Sequence, residues 1–376
     1  MRILIAPDSF KESLSAAEVA KAIKQGFSKV YPQASYDLLP LGDGGEGTLD
    51  SLTQAFGLEK YQTEVTGPFG DRICVDYAMR DGLAVFEMAA IVGLASIPLE
   101  KRNPLLVSTR GVGELLVELV QKGANQFFIG IGGSASHDGG IGMAAGLGVK
   151  FYDREGQELE AIGANLSKIV DFSQDDIGID LSSVQIDLLT DVDNLLCGHQ
   201  GATYIFAGQK GLEATKFEQV DREMERFYQL VNPAILTLAG AGAGGGMAAG
   251  LVQFAGARIQ TGINFVLDQL DFDKRVAEAD LVIVGEGRMD AQSLSGKTPI
   301  GVARRTPTGI PIIAICGSLK DDLPEFPCEN ICAAFPIIAE VDDLENTLKK
   351  GEKNLVRTAE QVARILQLGG KLEEFD

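Results

Sequence analysis

The order of apolar runs predicts an α/β protein of two different domains: a doubly wound parallel sheet built from both chain ends, and a mixed α/β domain inserted between them. Three observations lead there. Near both termini short apolar runs alternate with amphipathic segments, the rhythm of strands joined by crossover helices. In the middle of the chain strands follow one another across tight turns instead. Glycine makes up 45 of 376 residues, about 12 % against a usual 7 % or so, with no collagen or linker periodicity. It clusters beside the apolar runs, where backbone can turn with positive φ or come close to a ligand.

Residues 3–6 form the first apolar run. Ser15 and Glu18 then make a capping box before an amphipathic segment to Val30. Residues 36–41 supply a second strand, and after the glycine cluster 42–47 the segment 48–56 reads as helix. The rhythm changes near Tyr61. Short strands over 63–66, 72–79 and 84–88 are separated by the turn signals 67–71 and Asp81-Gly82. A helix over 113–122, a buried strand over 127–131 and a hairpin over 150–159 follow. Alternation resumes with the strand 280–284, a helix over 300–305, the strand 310–316 and one long polar helix over 342–368. The reading therefore assigns 1–65 and 276–376 to the doubly wound, Rossmann/flavodoxin-like domain and 66–275 to the insert. It expects the active site in a cleft between the two, closing on hinges near 61–68 and 271–280.

Composition excludes several classes of function. A net charge of −20 repels polyanions, so nucleic acid is a poor partner. No apolar stretch approaches the roughly 20 residues that cross a bilayer, and the first residues are too short and too quickly charged for a secretory signal. A cytoplasmic protein with no membrane partner is expected, with room for a homo-oligomer. Its five scattered cysteines lack the paired spacing of a zinc or redox site.

Six segments carry chemistry. The first, 6–11, lies just past the first strand, where ligands of open α/β sheets bind; Asp8 there can orient or deprotonate a hydroxyl, and Ser9 and Lys11 can meet an anion. The second, 41–48, sets Asp43 and Glu46 in a glycine-rich turn, a pairing suited to polyol hydroxyls or Mg²⁺ rather than bare phosphate. In the third, 129–140, a buried strand enters a Gly/Ser loop whose Gly132, Gly133 and Ser134 are candidates for holding the phosphates of ATP. It is not the dinucleotide fingerprint, because Ala135 stands where the third glycine belongs. His137 and His199, the only histidines, read as polar loop residues.

In the fourth segment Asp191 follows the strand 185–188 and is the candidate catalytic carboxylate, with Asp193 alternate to it. The fifth, 239–247, reads as a phosphate loop through Gly244 and Gly245, with a helix-packing segment as the other reading. The sixth, 285–298, ends in Gly296-Lys297-Thr298, which imitates a P-loop but has Ala291 where its leading glycine is required. Arg288 and Lys297 are the candidate cations on transferring phosphates, with Gly296 beside them. Candidate metal ligands are Asp191, Glu286 and Asp290.

Together and in this order, the stretches 6–16, 42–48, 130–140, 191–202, 240–246 and 285–297 resemble the type I glycerate kinase (glycerate 2-kinase) family along nearly the whole chain. The chain departs from the pattern at Glu12, at Leu195, and at Ala207-Gly208 before Gln209-Lys210-Gly211. The resemblance implies two different α/β domains, ATP with Mg²⁺, and D-glycerate as the phosphoryl acceptor, with 2-phosphoglycerate favoured over 3-phosphoglycerate as product. From the residues themselves, Asp8, Lys11, Asp191 and Lys297 are the expected catalytic set and Ser9, Asp43, Glu46 and Arg288 the expected acceptor contacts. A nicotinamide-dependent oxidoreductase would share the doubly wound half, but no complete G-x-G-x-x-G follows the first strand. A non-catalytic anion-binding regulatory protein would share the glycine loops, but not the carboxylates within them.

Overall fold

The computed structural model describes residues 1–11, 13–42, 44–45, 47–291, 293 and 297–372. The chain divides into two compact units. One holds Met1–Asp43, Asp50–Ala55 and Gly262–Asp376; the other holds Gly44–Leu49 and Phe56–Thr261.

The first unit is built on a five-stranded, wholly parallel sheet in the order Ile331–Pro336, Ile312–Cys316, Leu281–Val284, Arg2–Ile5, Ser35–Leu38. Sequence-distant strands Arg2–Ile5 and Leu281–Val284 lie side by side, with Ile3 opposite Leu281 and Ile5 opposite Ile283. Continuous apolar runs suit a sheet covered on both faces. Ile3, Ile5, Ile283 and Ile315 are buried with Val19, Ile23 and Phe27 of the helix Ala16–Ser28 and Leu355 and Val362 of the helix Gly351–Leu372. The helix Ala16–Ser28 opens on the expected capping box: Ser15 Oγ accepts from the Glu18 N–H, and Glu18 Oε2 accepts from the Ser15 N–H at 2.8 Å. Such a cap contributes about 1 kcal/mol.

The second unit has a six-stranded mixed sheet in the order Arg258–Thr261, Gln185–Thr190, Gln126–Gly130, Leu83–Glu87, Arg72–Arg80, Glu59–Thr66. Its first four strands run parallel and the last two turn back as hairpins. Phe86, Phe127, Ile129 and Leu188 meet Leu115, Leu119, Met143, Phe227, Met247 and Leu251 in one core.

The structure moves three sequence-based boundaries. Residues 59–65 belong with the second sheet, because Glu59–Thr66 pairs along its whole length with Arg72–Arg80. Residues 262–275 belong with the first unit, where the helix Gly262–Gln269 packs on Thr298–Arg305. The long helix expected over 342–368 is two, Leu344–Lys349 and Gly351–Leu372, since Asp343 caps a short helix of its own through the Asn346 N–H at 2.8 Å. Among the described residues no helix is long and apolar enough to cross a membrane.

Candidate active site

In the first unit, the loops leaving the carboxyl ends of adjacent parallel strands surround a cavity of about 550 Å³. After Arg2–Ile5 the backbone stays beside its neighbour, with the Asp8 N–H donating to Gly285 O at 2.8 Å. That pairing brings the first and sixth motifs to one place although 277 or so residues separate them. Asp8 is buried and its carboxylate is held at both oxygens, by the Ser9 N–H at 2.6 Å and the Thr298 hydroxyl at 3.1 Å. Glu286 and Asp290 are 7 % and 8 % exposed, yet both line the cavity. Arg288 is positioned by the short parallel pairing of Arg288–Met289 with Ser318–Leu319, and its Nε lies 3.6 Å from Asp290 Oδ2.

Lys11 and Lys297 also line the cavity, and neither ammonium meets an acceptor among the described residues. Lys297 precedes the helix Thr298–Arg305 without capping it by its side chain. The structure thus brings together Asp8, Ser9, Lys11, Glu286, Arg288, Asp290 and Lys297 of the expected site. Asp43, Glu46 and Gly296 lie outside the described residues. Two nearly buried carboxylates with hard oxygen donors suit a Mg²⁺ that travels with nucleotide phosphates, which needs only one or two protein carboxylates. Asp191, the third carboxylate expected to hold a metal, belongs to the second unit.

In the second unit, three motifs converge at the carboxyl end of the parallel strands. The Gly132 N–H donates to Gly44 O at 3.0 Å. Gly44 has φ +90° and sits so close to the neighbouring strand that a Cβ would lie 2.2 Å from Leu189 O; no other residue type fits there. The N–H groups of Gly133 and Ser134 donate to no acceptor among the described residues, as an anion loop requires. Asp191 is exposed, one residue beyond the strand Gln185–Thr190.

Beneath this loop lies a charge that the sequence reading passed over. Lys210, 4 % exposed, donates to Ser134 Oγ at 2.9 Å and to Ser136 O at 2.8 Å. Burial pulls its pKa down to about 7, against the opposing charge of Asp138. An ammonium only donates, so Ser134 must accept and its own hydroxyl hydrogen is left for a ligand. The available signal was Gln209-Lys210-Gly211, noted only for the residues before it. His137 is wholly buried, with Nε2 2.9 Å from Thr203 Oγ1; burial first and the Lys210 charge second push its pKa down to about 3. It is therefore neutral and structural. Asp138, also wholly buried, is pushed upward by burial although the Thr109 hydroxyl, at 2.7 Å, and loop N–H groups favour its charge.

The fifth motif packs closely on the third. The helix Ala243–Ala255 carries three glycines of positive φ at its start, and a Cβ on Gly245 would meet Ser136 O at 2.1 Å. Gly245 is buried against the third motif, its carbonyl accepting from the Gly139 N–H at 3.1 Å. The run lets two backbones touch, and Gly244 likewise packs toward Ile131 O and Met88. His199 is exposed and edge-packed on Tyr204, their ring centroids 4.8 Å apart.

Comparison with known proteins agrees with these motifs. Residues 3–367 match the model of the glycerate kinase family. A glycerate kinase of Neisseria meningitidis serogroup B is 52 % identical over 368 residues, covering 98 % of this chain and 99 % of the relative. A glycerate 2-kinase of Escherichia coli K12 is 39 % identical over 376 residues, with 98 % and 99 % covered. A crystal structure of a candidate glycerate kinase 2 from Salmonella typhimurium LT2 superposes with a TM-score of 0.85 at 40 % identity, covering 99 % of each chain.

Proposed function

The chain belongs to the glycerate kinase family and is a kinase that phosphorylates glycerate, and from that premise we propose that it transfers the γ-phosphoryl of ATP to the 2-hydroxyl of D-glycerate. The observation that carries the reading is the first unit's cavity, lined by two ammonium groups without an acceptor among the described residues, by Arg288 and by the nearly buried Glu286 and Asp290. Phosphoryl transfer asks mostly for positioning and for neutralisation of charge on the transferring group. Lys11, Arg288 and Lys297 supply the cations. Glu286 and Asp290 would hold Mg²⁺, which when bound neutralises charge on the β- and γ-phosphates. Asp8, fixed at both oxygens, holds the strand-end loop in shape.

The loop of the second unit takes an anionic oxygen of the acceptor, and glycerate's only charge is its carboxylate. Gly133 and Ser134 offer N–H groups, and Lys210 turns the Ser134 hydroxyl outward as a further donor. In the transfer the hydroxyl oxygen bonds to the γ-phosphorus and the bond from that phosphorus to the β,γ-bridging oxygen breaks. Asp191 takes the hydroxyl proton and ADP leaves. The five cysteines are free thiols, in keeping with a cytoplasmic setting where ATP is made. The 2-hydroxyl is favoured by the relative named as a glycerate 2-kinase. Phosphorus NMR of the product from ATP and D-glycerate tests reaction, acceptor and position together: 2-phosphoglycerate is expected, 3-phosphoglycerate would reassign the hydroxyl, and no organic phosphate would end the reading.

A further inference from the structure

Part of the lining of the first unit's cavity is apolar. Besides its charged groups the cavity is lined by Ile337, Ile338, Leu344 and Leu348, with Ser13, Thr347 and Asn354. Glycerate carries oxygen on each of its three carbons and has no face to lay on such a wall. Nor does a triphosphate. Ile338 and Leu344 are 47 % and 69 % exposed, apolar surface that a flat ring would cover. Asn354 lies in the first turn of the helix Gly351–Leu372 and is only 8 % exposed. Its N–H is taken by Lys350 O at 3.0 Å, but its side-chain amide has no hydrogen-bond partner among the described residues. An amide that borders a cavity with no protein partner is placed to hydrogen-bond a ligand there.

We infer that this apolar part of the cavity wall is a purine subsite in which the Asn354 amide reads the base edge while Ile338 and Leu344 cover the ring faces, an inference that rests on the reading of the protein as an ATP-dependent kinase. An asparagine presents one donor beside one acceptor. Adenine presents the complementary pair, its N6–H beside an acceptor ring nitrogen. The volume of about 550 Å³ accommodates base and phosphates in one cavity, the phosphates directed to Lys11, Arg288 and Lys297.

Calorimetric titration of ADP, GDP and tripolyphosphate into the full chain tests this without turnover. In Asn354→Leu, ADP should weaken by about tenfold to a hundredfold, the worth of one bidentate base contact, while tripolyphosphate, which has no base, binds as in the wild type. Asn354→Asp presents acceptors only, matching the N1–H and N2–H of guanine, so the ratio of ADP to GDP affinity should swing toward GDP. Leu344→Ser, at an exposed position, should weaken ADP by a few-fold and keeps the test open if Asn354→Leu does not fold. The subsite is overturned if wild type does not bind ADP, if ADP affinity is unchanged in these variants, or if tripolyphosphate weakens in step with ADP. Turnover of ATP and glycerate with no change in ADP affinity removes the subsite and leaves the kinase reading. The expected shifts in a protein that turns over no glycerate would do the reverse.

Discussion

The two units handle charge in opposite ways. In the first, Lys11 and Arg288 are exposed and Lys297 is half-buried, and all three sit on the wall of a cavity with their charge directed at whatever enters. In the second, Lys210 and Asp138 lie wholly under a glycine loop and touch its backbone and hydroxyls. A cation of the first kind stabilises negative charge that develops during transfer. One of the second kind fixes the shape and polarity of a loop whose N–H groups meet the ligand, so it is a positioning residue. Substitutions in the first unit should therefore strike kcat, while those beneath the loop should strike KM and the pH profile.

The largest effect tests a carboxylate of the second unit that breaks this division. Asp191 is exposed at a strand end, and Asp191→Asn should lower kcat by on the order of a thousandfold, the upper range for a general base. Exposed polar substitutions of this kind leave stability nearly unchanged, so Tm should hold. A variant that unfolds instead would make Asp191 structural and leave the transfer without its proposed base.

Next, Lys297→Ala should reduce kcat by about a hundredfold or more with little change in KM, because a phosphate-facing cation acts mainly in the transition state. The fold should be unaffected, since the side chain neither caps the following helix nor pairs with an acceptor among the described residues. Wild-type turnover would remove Lys297 from the site.

Smaller still, Lys210→Met should raise KM for glycerate by about tenfold, the scale of one charge-assisted hydrogen bond, with KM for ATP and kcat little changed. A fall in kcat with KM unchanged would instead place Lys210 with the cations of the first unit.

How much of this was legible depends on which contacts a sequence can signal. Parallel strands announce themselves as apolar runs, and the glycine motifs fall at strand ends because ligand loops of α/β sheets must lie there. Asp8, Glu286, Arg288 and Lys297 were readable for that reason. The glycines of 240–246 left two readings open because the same residue serves a phosphate and a close backbone crossing, and Ser136 O beside Gly245 shows the crossing. The pairing of Glu59–Thr66 with Arg72–Arg80 was legible from the turn signal at 67–71, but the strand begins before that signal reaches, so a boundary at 65 cut through it. Lys210 was passed over although it stands in Gln209-Lys210-Gly211, since nothing local to a lysine reveals that the chain will bury it against Ser134 and Ser136, 76 and 74 residues away.

The smallest expected effect is the one that separates the units most sharply. With its pKa drawn down to about 7, Lys210 is an ammonium at pH 6 and largely an amine at pH 8. As an amine it can accept from the Ser134 hydroxyl, which then no longer faces the ligand, and its positive charge is gone. KM for glycerate should therefore rise a few-fold as pH increases through about 7, an effect Lys210→Met abolishes while Lys297→Ala preserves it. The groups facing Lys210 do not mimic this. His137 is pushed down to about 3 and stays neutral, and Tyr228 is raised well above its ordinary value and stays protonated. Asp138, raised by burial, is the one competitor, and Asp138→Asn should keep the slope if Lys210 is its source. Stability gives an independent reading with a definite sign. Between about 7 and the ordinary 10.5 the unfolded chain holds a proton on Lys210 that the folded chain has released, so stability should increase with pH across that window and not below it. Thermal melts of wild type against Lys210→Met from pH 6 to 9 measure this. A difference in Tm that does not change with pH would mean that Lys210 keeps its proton throughout, and the loop would then owe its anion affinity to Gly133 and Ser134 alone.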